Sequence, residues 1–264
     1  MKKVKFNYHT HTERCMHAGG KDEDFVLAAI KAGFDEIGFS DHCAWPYKNY
    51  ASPIRMTEVQ IEDYVNSVKS LREKYKDKIS IKLGFECEYF ERHIPWLRET
   101  LKKYSFDYII LGHHYLSYEI GGLYTGNAAT KEEIEVYKDD LIKAMDTGLY
   151  SYIAHPDLFF KGYGRFDGHA EKVTRQIIKK AIETDTPLEY NLLGLARNKA
   201  DNKDSYPYPD FWRIAGELGA KGIIGIDAHF PDTYLDKELM DEAVKSLKEY
   251  GIEMVEKIRF LNEV

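Results

Sequence analysis

Short apolar segments alternate with longer amphipathic segments along the whole chain, and this alternation constrains the fold more than any other feature of the sequence. Nearly continuous hydrophobicity over a few residues is typical of parallel strands that are covered on both faces. The amphipathic segments between them repeat apolar residues with the period of an α-helix. Strands that alternate with helices in this way predict βαβ units and a parallel sheet.

The alternation amounts to seven strand–helix units, one fewer than the usual eight of a β/α barrel. The predicted strands are residues 4–8, 36–40, 80–85, 108–111, 152–154, 187–191 and 222–226. The predicted helices are residues 22–32, 57–75, 94–103, 131–147, 168–183, 209–218 and 237–250. No linker rich in glycine, serine or proline divides the 264 residues, so a single domain spanning residues 1–264 is expected. Residues 253–264 keep a helical spacing of apolar side chains and are expected to pack on the wall of the barrel.

Residue types that bind metals follow almost every predicted strand. They are His9, His11, His42, Glu86, His113, His114, His155, Asp227 and His229. In a closed β/α barrel the carboxyl ends of all strands open onto one face, and that face carries the chemistry. Residues that are distant in the sequence are therefore expected to converge on one metal-rich pocket.

The first and the last of these groups have the same spacing. One residue separates His9 from His11, and one residue separates Asp227 from His229, so each pair shares a face of an extended strand. The first and last strands become neighbours when a barrel closes. Neutral imidazoles and carboxylates are ligands that suit zinc, iron and manganese, so the two pairs predict a metal site.

Composition argues against several classes of protein. The formal net charge of −7 gives no reason to expect binding to nucleic acid or to a membrane surface. No apolar run approaches the ~20 residues that span a bilayer, and the N-terminus does not have the pattern of a signal peptide, so a cytoplasmic location is expected. Three cysteines without a Cys-x-x-Cys pair argue against a disulfide framework and a structural zinc site. The sequence makes no prediction of oligomeric state.

The segments at the strand ends resemble, in order, the motifs of the polymerase-and-histidinol-phosphatase (PHP) superfamily. The segments are His9-Thr10-His11, Ser40-Asp41-His42, Gly84-Phe85-Glu86, Leu111-Gly112-His113-His114, Ala154-His155-Pro156 and Gly225-Ile226-Asp227-Ala228-His229. The resemblance covers essentially the whole chain and implies a distorted, TIM-like (β/α)7 barrel with two or three divalent metals. Within the superfamily the chain is most similar to histidinol-phosphatases. This similarity implies hydrolysis of L-histidinol phosphate, a reaction of histidine biosynthesis, by a hydroxide that bridges metal ions.

The resemblance also implies which residues hold each metal. One metal would be held by His9, His11, Glu86 and Asp227, a second by Glu86, His114 and His155, and a third by His17, His42 and His229. Two choices stay open, because a register shift of one residue would put His113 in place of His114, and Glu88 shares a face with Glu86. His17, taken alone, has the pattern of a surface histidine, and His93 and His169 at helix starts are expected to be structural.

Other residues are candidates for binding the substrate or supporting the metals. Arg165 and Arg197 lie in loops on the expected face and could bind phosphate through their guanidinium groups, and Arg14 is a weaker third candidate. Asp41 could orient a ligand imidazole through a hydrogen bond to its second nitrogen. A metal-bound water or His113 could protonate the leaving group. The candidates for recognising histidinol are Trp45, Tyr47, Tyr115, Tyr118 and Glu119.

Three alternative functions remain at this point. The chain could hydrolyse another phosphomonoester, such as a nucleotide, a sugar phosphate or a phosphotyrosyl protein. It could be a catalytically inactive PHP domain, although every ligand position holds a competent residue. It could also be a metal-dependent amidohydrolase, although no candidate for a carbamylated lysine lies at a strand end.

Overall fold

A computed structural model of the chain describes residues 4–263. The strands are β1 (Phe6–Asn7), β2 (Glu36–Phe39), β3 (Ser80–Cys87), β4 (Tyr108–Leu111), β5 (Leu188–Asn191), β6 (Lys221–Gly225) and β7 (Glu253–Met254). The helices are α1 (Asp22–Ala32), α2 (Ile61–Tyr75), α3 (Ile94–Tyr104), α4 (Lys131–Asp146), α5 (Phe160–Tyr163), α6 (Gly168–Glu183), α7 (Leu192–Asp201), α8 (Pro209–Leu218) and α9 (Lys237–Glu249). Short 3₁₀ turns lie between them. In the part of the chain that is described, no helix is both long enough and apolar enough to cross a membrane.

The strands form a curled, entirely parallel sheet. One part has the order β1-β2-β3-β4 and the other has the order β5-β6-β7. Ile153 joins the two parts because it forms parallel bridges to Leu111 at the end of β4 and to Leu188 at the start of β5. On the opposite side, Thr10 after β1 bridges Ala228 after β6 and closes the ring. The expected α/β fold, a distorted TIM-like barrel, is confirmed.

The segment around Ile153 occupies the strand position between β4 and β5 and is the shortest extended segment of this barrel. It makes backbone hydrogen bonds on both sides: Ile153 N donates to Pro187 O over 3.0 Å, and Ala154 N donates to Leu111 O over 3.0 Å. His155 follows directly with a positive φ of 32°, which ends the extended backbone. The predicted strand at 152–154 is therefore reduced to a single bridge residue.

Two other sequence expectations differ from the structure. The predicted loop after β5 contains α7, whose first turn is capped by the side chain of Asn191 accepting from Gly194 N over 2.8 Å. The helix-like spacing of the C-terminal segment is misleading, because Glu253–Met254 forms β7, which pairs with Lys221–Gly222 at the beginning of β6. An unpaired strand edge exposes backbone donors and acceptors. β7 pairs with the beginning of the β6 edge, which β1 does not cover.

Two glycines make room for acidic side chains inside the barrel. A Cβ atom on Gly112, just after β4, would lie 2.0 Å from Oε1 of Glu86. A Cβ atom on Gly225, the last residue of β6, would lie 1.7 Å from Oε1 of Glu189. Glycine is needed at both positions because carboxylates occupy the space in which a side chain would begin.

Candidate metal centre

A cleft of about 240 Å³ opens at the carboxyl ends of the strands. The predicted ligands that line it are His11, His17, His42, Glu86, His114, His155, Asp227 and His229. His9 lies directly behind them and is fully buried. The structure thus brings all nine predicted ligands together, as the barrel geometry requires.

His9 is held in one orientation by a carboxylate. Its Nδ1 lies 2.8 Å from Oε1 of Glu189, on β5. Its Nε2 lies 3.4 Å from both Glu86 Oε1 and Asp227 Oδ1. A proton shared between Nδ1 and Glu189 leaves the Nε2 lone pair directed at the space between the other two carboxylates.

His11 has a similar arrangement with a different partner. Its Nδ1 lies 3.4 Å from Oδ1 of Asp41, and its Nε2 lies 3.1 Å from Oδ1 of Asp227. Asp41 is itself fixed, because it accepts hydrogen bonds from the hydroxyl of Thr12 and, over 2.8 Å, from the backbone N–H of His42. The geometry therefore puts Asp41 behind His11, although Asp41 is next to His42 in sequence.

Glu86, at the end of β3, is the centre of the cluster. Its oxygens lie 3.0 Å from His42 Nδ1, 2.9 Å from His155 Nε2 and 3.4 Å from His114 Nε2. Burial by itself raises the pKa of a carboxyl group, but the surrounding imidazoles outweigh it and hold the pKa of Glu86 well below its usual range. Glu86 is thus an ionised carboxylate that faces several imidazoles at once.

His17 and His229 form the outer part of the cluster. Their ring centroids are 4.8 Å apart, and His17 lies 5.3 Å from the ring of His42. In each, Nδ1 faces a nearby backbone carbonyl: that of Cys15 at 2.7 Å for His17, and that of Asp227 at 3.0 Å for His229. These contacts leave Nε2 of both rings for a ligand in the cleft.

Several buried polar atoms in the cluster face one another across 3.0–3.5 Å, but among residues 4–263 they form no hydrogen bond. They include His9 Nε2, His11 Nε2, His42 Nδ1, Glu86 Oε2 and Asp227 Oδ1. A buried polar atom without a partner costs about 1–3 kcal/mol. Among the described residues, five groups have donor atoms within 4.8 Å of one another: His9/His11/Glu86, His9/His155/Asp227, His42/Glu86/His114, His17/His42/His229 and His11/Cys15/His229. Divalent metal ions fit this donor set, since they would satisfy the same atoms that the protein leaves unpaired.

The backbone supports the same interpretation. His155 and Asp227 have φ angles of 32° and 55°, in the left-handed region that most non-glycine residues avoid. Conformations of this kind concentrate at functional sites, where the surrounding structure compensates their cost. Both turns direct a candidate ligand into the cleft at the point where its strand ends.

The two residues left open as alternatives occupy different environments from the candidate ligands. His113 is buried and turned away from the cleft, with Nε2 3.1 Å from Asp140 Oδ2 and Nδ1 accepting from the backbone N–H of Tyr89 over 3.3 Å. It therefore does not reach the position of an acid for the leaving group. Glu88 lies behind His114 and pairs with Arg55, so Glu86 is the carboxylate that the structure puts among the imidazoles.

The arginines that were predicted to bind phosphate lie in different places: one of them lines the cleft and the others do not. Arg197, on α7, lines the cleft, and its Nη1 donates to the hydroxyl of Tyr206 over 2.7 Å. Arg165 does not line the cleft; its exposed guanidinium pairs with Asp167 and stacks over Tyr163, because the turn after α5 carries it away. Arg14 likewise pairs with Asp22 and Asp63 outside the cleft.

Of the residues predicted to recognise histidinol, Tyr115 lines the cleft. The others lie behind its wall, where Trp45 donates to Glu88, Tyr47 donates to Glu119, and Tyr118 contacts His93.

His93 and His169 lie outside the cluster, and His169 faces Glu135 at 3.2 Å. Tyr124 and Tyr206 line the cleft and were not predicted, because each comes from a long loop without a recognisable pattern.

Sequence reasoning also missed Glu189 and Arg55, both of which are buried. Glu189 lies on β5 between apolar residues, and a charged residue inside an otherwise apolar parallel strand is a signal that could have identified it. Arg55 lies in a long loop, and no pattern in the sequence indicates that a charged residue there is buried.

Comparison with known proteins identifies the family. The model of the PHP domain matches residues 7–192, so this chain belongs to the PHP-domain family, as the strand-end motifs indicated. A protein of Deinococcus radiodurans named probable histidinol-phosphatase is 28% identical over 258 residues, with 92% of each chain covered. The histidinol-phosphatase of Lactococcus lactis is 25% identical over 240 residues, covering 85% of this chain and 84% of that protein.

A solved structure has the same fold. The histidinol phosphate phosphatase of Lactococcus lactis, crystallised with zinc, L-histidinol and phosphate, superposes with a TM-score of 0.74 at 20% identity. The superposition covers 97% of this chain and 98% of that chain, so the fold is shared from end to end.

Proposed function

We propose that this chain is a metal-dependent phosphatase that hydrolyses L-histidinol phosphate to L-histidinol and phosphate, a reaction of histidine biosynthesis carried out in the cytoplasm. The observation that carries the proposal is the convergence of buried donor atoms without protein partners at the floor of one cleft. The names of the relatives from Deinococcus radiodurans and Lactococcus lactis support the substrate. Zinc, histidinol and phosphate in the structure of the Lactococcus protein support the same assignment.

The proposed ligand sets follow the strand ends. His9, His11, Glu86 and Asp227 would hold one divalent ion, and Glu86, His114 and His155 would hold a second. His17, His42 and His229 would hold a third. The first two sets share Glu86, a carboxylate with two oxygens that face different imidazoles. Zinc, iron and manganese all suit these ligands.

The residues of the chain prepare the site for a phosphomonoester. Divalent metals in such a site supply Lewis acidity and activate water near neutral pH. Glu189 and Asp41 hold the protons of His9 and His11 on Nδ1, which keeps both Nε2 atoms available as ligands. Arg197, anchored by Tyr206, offers a guanidinium to the non-bridging oxygens of phosphate.

The rim of the cleft suits the organic part of the substrate. Tyr115, Tyr124 and Tyr206 line it with aromatic rings, and the rings of Tyr115 and Tyr124 lie 6.0 Å apart. Aromatic faces attract cations such as the ammonium group of histidinol, and they also stack on an imidazole. A small-molecule phosphomonoester with a cationic end is therefore the proposed substrate class.

The direct test is phosphate release from L-histidinol phosphate by the metal-loaded protein, beside a panel of nucleotide, sugar and tyrosine phosphates. We expect histidinol phosphate to be preferred by orders of magnitude in kcat/KM, and activity to disappear with a chelator. A clear preference for another ester would refute the substrate while keeping a phosphatase. Activity on an amide or cyclic amide, with none on any ester, would instead identify an amidohydrolase.

A further inference from the structure

Arg55 is a buried arginine in the loop after β2, and only 2% of it is exposed. Its guanidinium faces two carboxylates. Nη2 donates to Glu88 Oε1 over 2.6 Å and Nη1 donates to Glu88 Oε2 over 3.1 Å. Nε lies 2.7 Å from Oε2 of Glu119, which is also buried. The group as a whole carries one positive and two negative charges.

This buried group meets a side chain of the candidate metal centre at His114, and Arg55 Nη1 also donates to the backbone carbonyl of Cys43, next to His42, over 3.0 Å. Oε1 of Glu88 lies 3.3 Å from Nδ1 of His114. The other nitrogen of the ring, Nε2, lies 3.4 Å from Oε1 of Glu86. A carboxylate at Nδ1 holds the ring proton there, so the Nε2 lone pair points into the cleft toward Glu86.

The same guanidinium ties together two loops that form the cleft. Glu119 accepts hydrogen bonds from the hydroxyl of Tyr47 over 2.9 Å and from that of Ser52 over 2.5 Å. Ile54, next to Arg55, and Tyr115, next to His114, both line the cleft. Arg55 therefore connects the loop after β2 and the loop after β4 to the side chain that orients His114.

Stability alone is a poor reason for such an arrangement. Removing two carboxylates and a guanidinium from water costs so much that apolar residues of similar volume often stabilise a protein as well or better. A protein keeps buried charges most readily where they fix a geometry. Here the fixed geometry reaches Nδ1 of a proposed metal ligand.

We propose that Glu88 and Arg55 are positioning residues for the metal centre: Glu88 fixes the tautomer and orientation of His114, and Arg55 fixes Glu88. The proposal rests on His114 being a metal ligand, as the proposed function has it. Neither residue lines the cleft, and both act through His114.

Zinc binding by the full-length protein tests the proposal without any substrate. Zn²⁺ affinity is measured by competition with a chelator for the unaltered protein, Glu88→Gln, His114→Ala and the double variant. Glu88→Gln should weaken the affected zinc site about 10–100-fold, the usual effect of removing a hydrogen-bond partner from a ligand histidine. In the His114→Ala background the same change should have almost no further effect, because it acts through the missing ring. Equal effects of Glu88→Gln in both backgrounds, or none in either, would overturn the proposal.

Trp45→Phe is the matched control. It removes the indole N–H that donates to Glu88 Oε2 over 2.8 Å, but it leaves the oxygen that faces His114 and the contacts of Arg55 with Glu88 and Glu119. Zinc affinity should change much less than in Glu88→Gln. A loss as large as that of Glu88→Gln would mean that any disturbance of this buried region weakens the site, and the specific role of Glu88 would be rejected.

A measurement on the unaltered protein does not depend on how a variant folds. NMR of the histidine ring nitrogens in metal-free protein, at mildly alkaline pH, reports which nitrogen of His114 carries the proton. We expect the proton on Nδ1, and in Arg55→Lys, which keeps the charge but not the paired donors, a mixture of both tautomers. A proton on Nε2 in the unaltered protein would contradict the proposal. Because neither readout involves phosphate release, both remain valid if the substrate is another ester.

Discussion

His113 and His114 follow β4 side by side, yet their environments are opposite. His114 faces Glu86 in the cleft, whereas His113 is buried between the backbone of Tyr89 and Asp140 on α4. Successive side chains on an extended backbone point to opposite sides, so the pair divides into one candidate ligand and one internal support.

This division predicts different defects for the two alanine variants. His114→Ala should lose one metal and reduce kcat/KM by at least about 100-fold, with little change in the stability of the metal-free protein, since a ligand is removed from an open cleft. His113→Ala should lower the free energy of unfolding by about 2–4 kcal/mol, because it leaves a cavity and removes a hydrogen-bond partner from Asp140 and from the backbone N–H of Tyr89. Urea unfolding and metal analysis, combined with activity per folded molecule, separate the two defects. The opposite assignment of defects would show that His113 is the ligand.

Arg197 and Arg165 give a second pair at the residue scale. Arg197→Ala should raise KM for the phosphoester about 10–100-fold, because a charge-assisted hydrogen bond to phosphate contributes about 1.5–3 kcal/mol. Arg165→Ala is the control, since its guanidinium is exposed and paired with Asp167 outside the cleft. Steady-state kinetics measure both, and an equal rise in KM for both variants would place the phosphate elsewhere.

At the scale of single elements, the glycines at the ends of β4 and β6 are as important as the ligands. Gly112→Ala would put a methyl group 2.0 Å from Oε1 of Glu86, and Glu86 would have to move. We expect loss of metal binding and of activity with only a moderate loss of stability. Gly168→Ala, at the start of α6, is the matched control because no atom lies within 4 Å of its added methyl group. Metal content and thermal unfolding test the prediction, and normal metal content in Gly112→Ala would contradict it.

The elements also show what sequence alone can predict. The apolar strands and amphipathic helices were recognisable because burial of one or both faces imposes a period on the side chains. α7 was missed, since its start depends on the side chain of Asn191 capping an irregular stretch. β7 was mistaken for helix because two residues are too few to set a period, and what makes them a strand is the open edge of β6.

The candidate site was predictable to a similar extent and for a similar reason. Residues that follow strands, such as His9, Glu86 and Asp227, were identified because the barrel itself brings strand ends together. The residues behind them could not be identified in this way. Asp41 faces His11 rather than its neighbour His42, and Arg55 reaches Glu88 across the fold, so their partners depend on tertiary structure.

For the whole molecule, metal removal should lower stability. A ligand that binds only the folded state stabilises it by about 2.7 kcal/mol when the ligand concentration is 100 times its Kd. For a chain of this size, that free energy shifts Tm by roughly 5–10 °C. Removing the metals with a chelator should therefore lower Tm by that amount, and adding Zn²⁺ should restore it. The effect should shrink as pH falls, because protons compete with metals for imidazole nitrogens. Differential scanning calorimetry measures the shift, and an unchanged Tm would argue against metals at the centre of the barrel.

The closure of the barrel between Thr10 and Ala228 has a consequence for synthesis on the ribosome. Asp227 and His229 leave the exit tunnel about 200 residues after His9 and His11. At about 5–20 residues per second, the nascent chain exposes the first two histidines for on the order of 10–40 s before their partners exist. Any metal bound during that interval would be held loosely, because the barrel is incomplete. The metal centre can therefore assemble fully only after the last strand of the barrel has been translated.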